Sequence, residues 1–97
     1  MAAVVNVLRF KEPVDPALFA RAGDELVPKM REIPGFEALQ VVQSSETEVV
    51  LLIFGATTDV LDRVATEVGS PWMVANVAPL LASPPERHIG PVIASSS

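Results

Sequence analysis

The spacing of apolar residues changes several times along the chain, and each change marks a new element. Ala3–Phe10 is a β-branched run that stops at Lys11-Glu12-Pro13, because proline cannot donate to a strand ladder. Phe19, Ala22, Leu26, Met30 and Ile33 then recur at three- and four-residue steps, with Arg21, Asp24, Glu25, Lys29 and Arg31 off the stripe, which predicts an amphipathic helix. Asp15-Pro16 suits its start, the carboxylate as N-cap and the proline where no N–H is needed. Pro28 falls inside the stripe and predicts a kink or a tightened last turn. After the breaker Ile33-Pro34-Gly35, Phe36–Gln43 and Glu48–Phe54 are extended runs joined by Ser44-Ser45-Glu46-Thr47, a hairpin pattern. A second helix is predicted from about Thr58, with Val60, Leu61, Val64 and Val68 inward and Gly69 at its C′ position. Ser70-Pro71 opens a further short helix, Trp72–Ala78, running into Pro79. Pro84-Pro85 marks a loop before a last strand, Glu86–Ala94, and Ser95–Ser97 reads as a frayed tail.

The predicted order is β-α-β-β-α-β with the second helix in two pieces: an α+β, ferredoxin-like fold, a four-stranded antiparallel sheet with the helices on one face. The third strand is apolar at both parities, from Val49 to Phe54, whereas a strand with one wet face should alternate. Leaving several such side chains in water at roughly 25 cal/mol per Å² would cost a sizeable part of a small domain's stability. A second copy of the sheet is the simplest cover. The expectation is a homodimer, a dimeric α+β barrel, with Val50, Leu52 and Phe54 or their neighbours of opposite parity in the interface.

Length and composition narrow the function. The 97 residues make one domain, and 49% of them are apolar, a high share for so small a chain. The apolar runs are far shorter than the roughly 20 residues a membrane helix needs, and no charged leader precedes one, so a cytoplasmic protein without a membrane partner is expected. There is no cysteine to form a disulfide or hold a metal. A net charge of −5 with seven scattered Lys and Arg argues against nucleic-acid binding.

Val4-Val5-Asn6-Val7-Leu8, the Ile33-Pro34-Gly35-Phe36 entry to the second strand, the continuous third strand and Ser70-Pro71-Trp72 together resemble the antibiotic biosynthesis monooxygenase-like family of the dimeric α+β barrel superfamily. The likeness spans nearly the whole domain. It implies the barrel fold and, for function, oxidation of an aromatic or polyketide-like phenol by molecular oxygen without a cofactor. The superfamily also holds quinol oxygenases, haem-degrading enzymes and proteins without known activity, so a non-catalytic barrel that binds a small apolar ligand, or serves as an interaction module, is the alternative.

Cofactor-free oxygenation needs a substrate able to give an electron to oxygen, together with proton removal, an oxyanion site and exclusion of water. Asn6, in an otherwise apolar strand, could hold a substrate oxygen, with an amide bonded to nearby backbone as the plain alternative; the resemblance implies a place in the barrel pocket, where related enzymes carry a first-strand asparagine. Trp72 and Asn76 share a helix face and could stack on and hydrogen-bond an aromatic ligand, or simply belong to the core or an interface. His88 is the lone histidine and the candidate base, or else a surface or interface residue. Its parity sets it opposite Arg87, Ile89 and Ile93. Arg87 could pair with a carboxylate or an anionic ligand, with an ordinary solvated arginine as the default. Trp72–Leu81 contains no histidine of the kind haem-degrading relatives use, and the chain has no tyrosine to act as an acid. No metal-ligand spacing or phosphate loop is present, so neither metal nor cofactor is expected.

Overall fold

The computed structural model describes residues 1–96. Strand β1 (Ala2–Arg9) leads through Asp15, whose Oδ1 accepts the Ala17 N–H at 3.0 Å, into helix α1 (Pro16–Met30). Pro28 leaves α1 unbroken, but the exit tightens: Glu32 and Ile33 N–H groups bond to Lys29 and Met30 carbonyls, three residues back. Strands β2 (Phe36–Ser45) and β3 (Glu48–Gly55) form the expected hairpin, with register shifts near each end of β2. Gly35 between α1 and β2 has φ 95°, and a Cβ there would lie 2.8 Å from Val60 Cγ2, so both backbone and packing require glycine.

Helix α2 (Thr58–Val64) is capped by the Thr57 hydroxyl, which accepts the Val60 N–H. The chain does not then stop at Gly69. A π-helical turn (Ala65–Gly69) runs straight into α3 (Ser70–Asn76), and Gly69 keeps right-handed helical angles, φ −66° and ψ −54°. The expected left-handed cap is therefore absent. The widened turn falls just before Pro71, where a regular helix would suffer the clash of the proline ring with the carbonyl one turn back. After a short 3₁₀ turn (Ala78–Leu80), β4 (Glu86–Pro91) ends earlier than the predicted Ala94. Pro91 has no N–H to extend the ladder, and Ile93 beyond it is 94% exposed.

The four strands lie antiparallel in the order β2-β3-β1-β4, with the helices on one face. That face buries Val4 and Leu8 of β1 and Val49, Leu51 and Ile53 of β3 against Phe19, Ala22, Leu26, Met30, Leu61, Val64 and Val77. The opposite face carries Ala3, Val5 and Val7 beside Val50, Leu52 and Phe54, all only partly buried. Of the two parities of β3, Val50, Leu52 and Phe54 are the one pointing away from the helices. No helix among the described residues is long and apolar enough to cross a membrane.

Candidate functional site

Alternation along β1 turns Val4, Asn6 and Leu8 toward the helices, and Asn6 is the one polar side chain of the three. Its neighbours across the sheet are Leu51 on β3 and Arg87 on β4. Directly opposed residues on one sheet face stand with Cβ atoms about 5 Å apart, so the Asn6 amide and the Arg87 stem are neighbours by register. Above them α1, the π-turn and the start of α3 stand off from the sheet and leave a partly open cavity of about 320 Å³, with walls that include Phe19, Met30, Leu51 and Trp72. Asn6 and Arg87 are the polar side chains on its sheet wall, and Ser70 lies on the helical side. Among the described residues the Asn6 amide has no hydrogen-bond partner, so it is not spent on nearby backbone.

Trp72 borders the cavity. Its Nε1–H donates at 2.6 Å to Oε2 of Glu25, a residue outside the cavity wall, so the indole donor is already engaged. Asn76 is not in the cavity wall. Its Nδ2 donates to the Trp72 carbonyl at 3.0 Å and its Oδ1 accepts from Arg21 at 3.4 Å, while Arg21 sits 3.7 Å from Glu25. These contacts form a loop that ties α3 to α1 across the cavity's edge. Asn76 thereby fixes the backbone that carries Trp72.

Arg87 reaches the rim, its guanidinium 3.1 Å from Asp62 Oδ1 of α2, with both groups well exposed. Strand parity predicts Arg87 on the side opposite His88, and that is where it lies. What local sequence lacked was the β1–β4 register that puts Arg87 against Asn6. His88 pairs with Val5 and so lies on the helix-free face, its side chain 68% exposed and Nε2 3.5 Å from Glu86 Oε2. The sheet separates it from Asn6 and Trp72. The structure thus brings Asn6, Trp72 and Arg87 together and keeps His88 and Asn76 apart from them.

A larger hollow of about 520 Å³ lies where β1 meets α1, bordered by Phe10, Lys11, Glu12, Leu18 and Leu80. It is more open, and it touches none of Asn6, Trp72 or Arg87. The smaller cavity joins an apolar lining to convergent polar groups, the combination a small-molecule site needs.

No protein-family model and no curated protein matches the chain. Solved structures do. A monooxygenase from the gene ActVA-Orf6 of Streptomyces coelicolor, solved with the ligand nanaomycin D, is 19% identical with a TM-score of 0.79, over 99% of this chain and 90% of that one. SnoaB, a cofactor-independent oxygenase from Streptomyces nogalater, is 14% identical with a TM-score of 0.73, over 97% and 94%. A protein of unknown function from Nitrosomonas europaea is 19% identical with a TM-score of 0.72, over 99% and 92%. At such identities the likeness establishes the fold: this chain has the ferredoxin-like α+β fold of the antibiotic biosynthesis monooxygenase-type structures.

Proposed function

We propose that two copies of this chain pair through their helix-free sheet faces and that each cavity binds a small planar phenol or enol, which it oxidises with molecular oxygen. The observation that carries this reading is the placement of Asn6 and Arg87 side by side on an apolar cavity wall that Trp72 also lines. The Arg87 guanidinium and the Asn6 amide together offer N–H donors to an oxyanion. Such donors favour the ionised phenol or enol, the form rich enough in electrons to react with oxygen. The Trp72 flank and the aliphatic walls would hold the ring system and exclude water. In the overall step, for an anthrone-type substrate, a CH₂ group and O₂ become a C=O group and water: two C–H bonds break, one carbon–oxygen double bond forms, and oxygen takes the electrons.

Among the described residues, no histidine, aspartate or glutamate borders the cavity. In this reading the proton passes to water, or the substrate arrives ionised; His88 is held off by the sheet. The same feature favours a second reading, a barrel that binds such a ligand without turning it over. Oxygen uptake with 9-anthrone and substituted hydroquinones separates them. Turnover that Asn6→Ala lowers by about 10²-fold, the usual weight of one oxyanion donor, supports the oxygenase. Ligand binding with no oxygen uptake across the panel leaves the binding protein.

A further inference from the structure

Three glycines of the chain lie where their local reasons can be compared. Gly35 needs its positive φ, and a Cβ on Gly55 would come within 3.0 Å of Leu61 Cδ2. Gly69 has neither reason. Its backbone is ordinary right-handed helix, and a Cβ there would have Val64 O at 3.7 Å as its nearest neighbour. Glycine within a helix is unfavourable relative to alanine, a cost that Gly23 of α1 shares, but of these two only Gly69 borders the cavity. Gly69 ends the π-helical turn, a rare conformation concentrated at functional sites, and it borders the cavity beside Ser70 and Trp72.

We propose that Gly69 sets the size of ligand the cavity admits: the bare backbone leaves room for a fused-ring ligand alongside Trp72, and a side chain there would restrict entry to single-ring compounds. The proposal rests on the ligand-binding reading of this cavity, and it requires no turnover. At about 320 Å³ the cavity is near the lower end of small-molecule sites, so one aliphatic side chain occupies a meaningful part of it.

Trp72 is the single tryptophan, and its fluorescence reports the cavity directly. Phenol, 1-naphthol and 9-anthrone are titrated under argon against the full chain and three variants. Gly69→Leu should weaken 9-anthrone at least ~10-fold while sparing phenol, in line with what added or missing methylenes do in apolar pockets. Gly69→Ala should fall between. Gly23→Leu is the control, because Gly23 is also helical with nothing near its Cβ position but lies outside the cavity wall; it should bind all three probes as the unsubstituted chain does. Circular dichroism confirms folding, and Gly69→Ala should melt no lower than the unsubstituted chain. The inference fails if Gly69→Leu binds 9-anthrone unchanged, if it loses all three probes equally with Gly69→Ala doing the same, or if the unsubstituted chain binds none of them. Selective loss under argon together with no oxygen uptake in air keeps the size limit and sinks the oxygenase. Uptake of oxygen with 9-anthrone that Gly69→Leu leaves unaltered keeps the oxygenase and sinks the size limit.

Discussion

Replacing Leu52 by glutamate puts one charge at the centre of the helix-free face. Leu52 pairs with Gln40 on one side and Val5 on the other, and Val5 pairs in turn with His88, so this row crosses the middle of the sheet. Val50 and Phe54 flank it along the strand, on the same face. In an isolated subunit the new carboxylate stays in water, and the fold should lose no more than the ~1 kcal/mol span of strand propensities. In a face-to-face dimer it is buried without a partner, once from each copy. Taking ~3 kcal/mol per desolvated carboxylate gives ~6 kcal/mol per dimer, or about 10⁴-fold in dissociation constant. A nanomolar dimer would become one of ~10 µM. Light scattering coupled to size exclusion, at micromolar loading, should show the unsubstituted chain at twice the 10.3 kDa protomer mass and Leu52→Glu at the protomer mass, with matching circular dichroism. An unsubstituted chain that stays monomeric at 100-fold higher loading, or a Leu52→Glu variant that stays dimeric, refutes the reasoning.

Two further substitutions test the helix-facing side. Gly35→Ala meets both a left-handed backbone and the Val60 methyl 2.8 Å away, so it should cost at least ~2 kcal/mol and lower Tm by about 10 °C; a loss too small to resolve by thermal melting would contradict the packing described. Arg87→Gln breaks an exposed pair with Asp62 and should change stability by under ~1 kcal/mol, yet weaken binding of an ionised phenol by roughly 10- to 100-fold; equal affinity for the ionised ligand would remove Arg87 from the site.

Much of the fold was legible because its signals are local. The Phe19-to-Ile33 stripe, the Asp15 cap and the two-sided β3 each follow from spacings within a few residues, and all three stand in the structure. Two boundaries differed where a local rule met a longer-range one: Gly69 reads as a cap in isolation, yet the helix passes through it by widening a turn, and the β4 pattern up to Ala94 is cut short by Pro91. Asn6 stood out as a polar residue in an apolar strand, and Trp72 as a lone indole. Their meeting place depends on how α3 lies over β1, which no spacing encodes. Arg87 was legible as a cation that could meet an anion, but its place beside Asn6 was not, since that depends on pairing with a strand from the far end of the chain.

That strand order has a consequence for assembly. β1 is made first and yet is an inner strand, holding β3 on one side and β4 on the other. Its pairing with β4 closes a loop that spans most of the chain, a contact with high entropic cost and slow formation. Until that closure β1 is an exposed, valine-rich edge, the kind that templates association between nascent chains. Asn6 and Arg87 meet only when the edge is sealed, so the step that removes the aggregation hazard is also the one that completes the cavity wall.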